Sequence, residues 1–175
     1  MIPIFVAASA TTLGCAYISD KLKHRAGVAL AGCFIAIIGY IVILNQERVS
    51  VNARYGALYL IASGSFAALP GAWVLLLNNV SGSYKTAFAM GMEIGLGNGG
   101  GFVASFSFQS KAAPFYWTGF RTTFSLMCMA MGLICLYSTG LWYENKQKRL
   151  GKRDYLLEEE GDNLGDAHPQ FIYTY

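Results

Sequence analysis

The stretch Thr86-Ala-Phe-Ala-Met-Gly-Met-Glu-Ile-Gly-Leu-Gly-Asn-Gly-Gly-Gly-Phe-Val-Ala-Ser105 decides the fold of this chain. It is apolar and long enough to cross a bilayer, whose hydrocarbon core needs about 20 helical residues. Glu93 is the only acidic residue within it. A carboxylate in hydrocarbon is costly unless it faces a polar path or a partner. The stretch therefore predicts a membrane helix in which Glu93 either serves transport or proton relay, or is protonated and hydrogen-bonded between helices.

The amino-acid composition is that of a protein whose solvent is lipid. Hydrophobic residues make up 54% of the 175 residues and charged residues only 13%, whereas soluble domains carry about 25% charged residues. The four cysteines form no CxxC pair, and no histidine lies near them at the spacing of a metal site. There is no phosphate-binding loop and no basic stripe with interleaved aromatic residues. We therefore expect that the protein is not an enzyme and has no catalytic or metal-ligating residues. We also expect no cofactor and no nucleic-acid partner.

Five apolar segments have lengths suited to membrane helices. They span residues 2–18, 26–44, 55–77, 86–108 and 122–142. Transmembrane strands do not fit, because such strands are about 10 residues long and alternate in polarity. The sequence thus predicts an all-α membrane protein with five transmembrane helices within residues 1–143. Residues 144–175 are polar and lack the hydrophobic periodicity of a core, which predicts a mostly disordered tail.

Lysine and arginine are unevenly distributed between the two ends of these segments. One set of connections, together with the tail, carries nine of the 13 cations, namely Lys21, Lys23, Arg25, Lys85, Lys146, Lys148, Arg149, Lys152 and Arg153. The opposite connections carry Arg48, Arg54, Lys111 and Arg121. The positive-inside rule therefore predicts an N-terminus outside and a cytoplasmic C-terminus. The sequon Asn79-Val-Ser81 would then lie in the cytoplasm and stay unmodified.

Segment 86–108 is rich in glycine and carries two GxxxG spacings, which are typical of closely packed membrane helices. They fall at Gly91, Gly95, Gly97 and Gly101. Asn98 lies about 140° from Glu93 around a helix. One of these two polar residues is therefore expected to face a cavity, while the other packs against a neighbouring helix.

Segment 55–77 carries the next candidates for a substrate path, Ser63 and Ser65. Pro70 removes a backbone hydrogen bond and kinks a helix, which leaves a carbonyl for substrate, although a purely structural kink fits equally well. Trp73 either stacks on a planar ligand or fills the core. Segment 26–44 has no strongly polar residue and predicts a lipid-facing wall.

Three local motifs resemble one family. The loop Ser19-Asp-Lys-Leu-Lys-His-Arg25 is similar to the cytoplasmic loop that major facilitator superfamily transporters repeat in each half. The stretch from Asn78-Asn-Val-Ser-Gly through Gly-Asn98-Gly-Gly to Val103-Ala-Ser105 looks like the penultimate helix of the fungal allantoate/nicotinate permease branch. The tail, with Glu144-Asn-Lys, Arg153-Asp-Tyr155 and Asp162 to Phe171, is similar to the tail of that branch.

The resemblance implies that the five segments correspond to helices eight to twelve of a twelve-helix fold, built as two halves around a central cavity. Asp20, Lys21 and Arg25 would then belong to a gating loop. Glu93, Asn98, Ser63, Ser65 and Trp73 would lie along the substrate or proton pathway. The implied activity is proton-coupled symport of a small organic anion, such as a vitamin or ureide carboxylate, in the plasma membrane.

The sequence departs from the family in three ways. Lys23 replaces a usual glycine, and Glu93 stands where a neutral amide is expected. The first seven helices are missing, so the chain resembles a fragment. Two hypotheses follow: part of a transporter, or a non-transporting membrane remnant that associates with other membrane proteins or with a missing N-terminal half.

Overall fold

The computed structural model describes residues 2–22, 24–109, 115–153, 155 and 165–175. Lys23, Lys111, Asp154 and the stretch 162–164 of the tail motif lie outside the described residues. Nearly all of the described chain is helical, and no strand occurs within it. The predicted all-α class is confirmed.

Five α-helices follow one another along the described part of the chain, in the order that the apolar segments predicted. They are α1 (Ile2–Leu22), α2 (Arg25–Leu44), α3 (Val51–Leu77), α4 (Ser83–Ser107) and α5 (Trp117–Arg149). A 3-10 turn, Gly165–Ala167, opens the last described stretch. Helices suit these segments because a bilayer offers no partner for an unpaired backbone N–H or carbonyl group.

Four of the described helices, α1, α2, α3 and α5, are long and apolar enough to span a membrane. Helix α4 has 25 residues and is therefore long enough. Its glycines, with Glu93 and Asn98, lower the hydropathy of its central part, and α4 is not among these four helices. The membrane span of α4 remains a prediction.

The helices extend further into the predicted connections than the hydropathy pattern indicated. Asp20 and Lys21 lie in the last turn of α1, and Arg25 begins α2, so only positions 23 and 24 of the predicted loop separate the two helices, at a junction that we call the α1–α2 bend. At the other end of the chain, α5 continues to Arg149, into the stretch predicted as tail. Long aliphatic and charged side chains are good helix formers, so these polar extensions keep the helical conformation.

Helices α2 and α3 form the most closely packed pair. A Cβ added to Gly32 would lie 2.7 Å from the Ala68 nitrogen, and one added to Gly39 would lie 2.9 Å from the Ala57 oxygen. From the α3 side, a Cβ on Gly64 would lie 2.6 Å from the Gly32 oxygen. We call this line of contacts the α2–α3 seam. Only glycine permits such an approach of two backbones.

Helix α2 therefore does more than form the lipid-facing wall that its sequence predicted. One face is buried against α3 and α5, and it includes Cys33, Ala36 and Tyr40. Tyr40 contacts Phe124 of α5 edge-on, with ring centroids 6.4 Å apart. The opposite face exposes large apolar side chains such as Phe34, as expected for lipid contact.

The connections group at two ends of the bundle. At one end, Asn79 bonds to Thr174, and His24 lies 3.3 Å from the Tyr175 oxygen. At the opposite end, the Gln46 side chain donates to the Phe115 carbonyl over 2.8 Å. The connections therefore group in the two sets that were used in counting cations, while the cytoplasmic assignment remains a prediction.

Candidate functional site

Glu93 and Asn98 lie in the middle of α4, a helix that contains no buried residue. Glu93 is half-buried and Asn98 is exposed. Neither side chain makes a hydrogen bond or ion pair with another residue in the part of the chain that the structure describes. Any partner of Glu93 must therefore be water, ligand, lipid or protein outside the described residues.

The glycines of α4 face open space. Among the described atoms, a Cβ would find nothing within 4 Å at Gly91, Gly95, Gly97 or Gly101. The four glycines were predicted to pack against another helix, and no described helix of this chain fills that role. Their packing function remains a prediction, now directed at a surface outside the described chain.

Pro70 of α3 leaves one backbone carbonyl of that helix without its usual donor. Pro70 has no N–H to give to the Phe66 carbonyl one turn earlier. The Thr12 hydroxyl of α1 instead lies 3.2 Å from that carbonyl oxygen and can donate to it. The same hydroxyl also donates to the Ala8 carbonyl over 2.8 Å. Phe5 also packs edge-on against the Phe66 ring, with centroids 6.3 Å apart. The carbonyl freed by Pro70 is therefore used to hold α1 on α3.

The other residues predicted on the pathway lie on the same helix. Ser63 and Ser65 are half-buried, and Trp73 is 43% exposed. Neither serine hydroxyl makes a hydrogen bond to Glu93, Asn98 or any other described residue. The structure thus places the candidate pathway residues on α3 and α4, and among the described residues their side chains form no hydrogen bond or ion pair with one another.

The three gating residues lie where α1 turns into α2. Asp20 and Arg25 form an ion pair of 3.2 Å across the bend, and Lys21 is exposed. Beside the pair lies a cavity of about 150 Å³, which reaches down to Pro70 of α3. Because the Asp20 side chain is largely exposed, such a pair contributes at most about 1 kcal/mol to stability.

A second polar cluster, which the sequence analysis did not predict, lies at the same end. Here residues 165–175 are bound by Asn79 beyond α3 and by Asn145 and Lys148 of α5. This stretch is held in place by these bonds, in contrast to the mostly disordered tail that the sequence predicted. The division of the chain into a membrane region and a tail at residue 143 remains a prediction. The sequence analysis used Lys148 only as one of the nine cations that set the predicted orientation. The peptide that it binds has no periodicity that a sequence pattern could reveal.

Charges in this cluster shift the protonation of their neighbours. Burial alone would raise the pKa of Asp166, but the hydrogen bond from Lys85 and the charges of Lys85 and Lys148 outweigh it and lower that pKa. The pKa of Arg153 is raised, mainly by its hydrogen bonds to the Glu144 carboxylate. Both groups are therefore charged at neutral pH.

Metal binding finds no support in the geometry. The described residues contain no group of three or more histidine, cysteine, aspartate or glutamate side chains that could hold an ion. The four cysteines are free thiols.

Known proteins similar to this chain are transporters. An uncharacterized transporter of Schizosaccharomyces pombe is 35% identical over 98% of the chain, and this match spans 34% of that relative. The high-affinity nicotinic acid transporter of Saccharomyces cerevisiae is 26% identical over 99% of the chain and 33% of its own length. An MFS-type transporter of Penicillium expansum is 30% identical over 98% of the chain and 35% of its own length.

The homologues of this chain are fungal transporters of the major facilitator type. The chain spans about a third of the length of these relatives and corresponds to their C-terminal part. These relatives are transporters and not enzymes. No family model and no solved structure matches the chain. Together with the apolar helices, the relatives make this a multi-pass membrane protein whose environment is a lipid bilayer.

Proposed function

We propose that the chain forms the C-terminal part of a secondary transporter, which moves a small organic anion together with a proton. The observation that carries the proposal is the match of almost the whole chain to transporters. One of these relatives bears the name of a nicotinic acid transporter, which makes a small carboxylate the preferred class of substrate. The plasma membrane, with the C-terminus in the cytoplasm, is the proposed location.

In this proposal the protein works by alternating access between two halves. Glu93 is the proton-carrying group, because it is the only acidic residue of its segment and has no described partner that would fix its charge. Asn98, Ser63, Ser65 and Trp73 are proposed to line the substrate path. Asp20, Lys21 and Arg25 are proposed to hold one state closed through charge contacts, of which the 3.2 Å Asp20–Arg25 pair belongs to this chain.

Uptake by a full-length transporter that contains this segment tests the proposal. Radiolabelled nicotinate and a panel of other small carboxylates would be supplied to cells between pH 5 and 8. Glu93→Gln should abolish the pH dependence of uptake, since the amide cannot carry a proton. Glu47→Gln, at an exposed glutamate beyond α2, is the matched control and should leave the pH profile unchanged. A pH profile retained by Glu93→Gln would remove the coupling role.

A second candidate function is association without transport, as a membrane remnant bound to another membrane protein. The open glycine face of α4, with Gly91, Gly95, Gly97 and Gly101, favours it, because GxxxG spacings need an opposing helix. Cells that express only this chain separate the candidates. Uptake by these cells would exclude the remnant, whereas capture of the chain by a separately expressed N-terminal half, without uptake, would support it.

A further inference from the structure

Residues 165–175, which we call the strap, lie across the ends of the helices at the end of the bundle that carries the α1–α2 bend. Tyr173 and Tyr175 pack on an apolar cluster formed by Ala26 of α2, Leu75 of α3 and Leu141 of α5. The strap therefore joins three helices that come from separate parts of the sequence.

Two buried asparagines hold the main chain of the strap. Asn145 donates to the Tyr173 carbonyl over 2.8 Å and accepts from the Tyr173 N–H over 2.9 Å. Asn79 makes the same pair of bonds to Thr174, both of 2.7 Å. Each asparagine is at most 4% exposed, so both side-chain amides depend on the strap for hydrogen bonds that burial requires.

A buried lysine fixes the turn at the beginning of the strap. Lys148 is 5% exposed, and its ammonium group donates to the carbonyls of Asp166, His168 and Phe171 over 2.8, 3.1 and 3.0 Å. These three bonds use the full donor capacity of an ammonium group. The nitrogen also lies 4.0 Å from the centroid of the Tyr173 ring. Removing Lys148 would therefore remove the support of the whole turn.

The turn presents one carboxylate to α4. Asp166 accepts from Lys85, in the first turn of α4, over 2.9 Å. The Tyr173 hydroxyl donates to the Asp166 carbonyl over 2.8 Å, which helps to fix the position of that carboxylate. At the opposite end of α4, the Phe108 ring packs on Phe120, with centroids 5.5 Å apart.

Helix α4 is thus attached to the described chain mainly at its two ends. It contains no buried residue. Among the described residues, the bond from Lys85 to Asp166 is the only side-chain hydrogen bond that joins α4 to a segment beyond its own adjoining loops. We propose that the strap is an intramolecular latch, which holds the Lys85 end of α4 against α3 and α5 and leaves that helix free to tilt about its Phe108 end when the strap is released. The latch does not depend on whether the chain transports.

Distances between spin labels in the full chain, reconstituted in phosphatidylcholine nanodiscs, test the latch. Labels at Tyr84→Cys and Tyr143→Cys, two exposed positions on α4 and α5, report on the tilt of α4. Labels at Ile172→Cys and Tyr143→Cys report on the docking of the strap. The four native cysteines are replaced by alanine.

Lys148→Met is the test variant, and Lys146→Met, an exposed lysine one half-turn earlier, is its matched control. In Lys148→Met we expect both distance distributions to become roughly twice as wide, as for a locally released segment, while Lys146→Met leaves both unchanged. Asp166→Asn should widen only the distribution from position 84, since the strap stays docked. Deletion of residues 165–175 removes the strap completely, whatever the effect of Lys148→Met. An unchanged distribution from position 84 in that deletion would overturn the proposal.

Discussion

Glycine has opposite surroundings in the α2–α3 seam and in α4. In the seam, the backbone of the facing helix occupies the space beside Gly32 and Gly64. In α4, the space beside Gly91 and Gly95 holds no described atom within 4 Å. The same small residue therefore marks an interface made within this chain in one case, and a surface with no described neighbour in the other.

The difference shows what a GxxxG spacing can and cannot indicate. The spacing gives a helix a face on which a second backbone can approach closely, but it does not say which chain supplies that backbone. Helix α2 was predicted to face lipid because it lacks polar residues, yet its small residues form the seam. Helix α4 has the more obvious motifs, yet its glycines touch nothing in the described chain.

The largest effect is expected when the seam is broken. In Gly64→Ala, the added Cβ would lie 2.5 Å from the Ala36 nitrogen, and overpacking of this kind costs about 1–3 kcal/mol. Gly56→Ala lies in the same helix but has nothing within 4 Å, and it serves as the matched control. Unfolding in mixed SDS micelles, followed by circular dichroism, measures both. Equal stability of the two variants would show that the seam is not a tight contact.

Loss of one asparagine of the strap should have a smaller effect. Asn79→Ala removes two bonds to Thr174 and one to the Leu75 carbonyl, and the loss of such buried bonds costs about 1–2 kcal/mol. Amide exchange at Thr174 should accelerate about tenfold, as measured by hydrogen–deuterium exchange. Asn78→Ala, at the exposed neighbour, should leave this exchange rate unchanged. Equal exchange in the two variants would contradict the role given to Asn79.

Acid should weaken the contact between the strap and α4. The ordinary pKa of the aspartate side chain is 3.8, and docking beside Lys85 and Lys148 lowers the pKa of Asp166 below it. The stability contributed by the docked carboxylate is therefore complete above the ordinary pKa and is lost as the pH falls through the lowered one. Because Lys85 is largely exposed, the contribution is at most about 1 kcal/mol.

The label pair at positions 84 and 143, measured between pH 6 and pH 2, would show this release of α4. Asp166→Asn should already show the wider distribution at pH 6 and should not change further on acidification. Glu144 and Arg153 lie nearby and form their own ion pair. If Asp166→Asn still shows a transition in acid, that transition belongs to Glu144 and not to Asp166.

The smallest effect on this chain is expected in α4 itself. Gly95→Ala meets no described atom, and replacing glycine by alanine within a helix favours the helix by at most about 1 kcal/mol. The same SDS unfolding experiment should therefore show equal or slightly higher stability. If the glycine face binds a helix outside this chain, the substitution should instead weaken association with a separately expressed N-terminal half. A loss of stability in the isolated chain would reveal a contact of α4 within the chain.

Much of the fold could be predicted from hydropathy, because membrane helices must be both apolar and about 20 residues long. The five helices and the grouping of their ends follow from that constraint. Helix ends in the polar regions could not be placed, as Asp20 and residues 144–149 show. The strap could not be predicted either, because Asn79 and Asn145 recognise backbone groups, and any sequence supplies backbone groups.

The candidate site was predicted only as a set of residue types. Glu93 stands out because it is the only acidic residue in its segment, but no pattern indicates what faces it. In the sequence, Thr12 is one of many hydroxyl-bearing residues in the apolar segments, and only the structure connects it to the carbonyl freed by Pro70. The interpretation of Pro70 as a structural kink therefore gains a named partner, whereas the pathway roles of Ser63 and Ser65 remain predictions.

The side chain of Asn79 also has a consequence for the order in which the protein is made. Its amide nitrogen donates to the Leu75 carbonyl and to the carbonyl of Thr174, a residue that the ribosome adds 95 positions later. While the chain grows, the end of α3 lacks this partner. Once Thr174 arrives, the same nitrogen is enclosed. The hydrogen bonding at this end of α3 is therefore completed only after the strap has been synthesised.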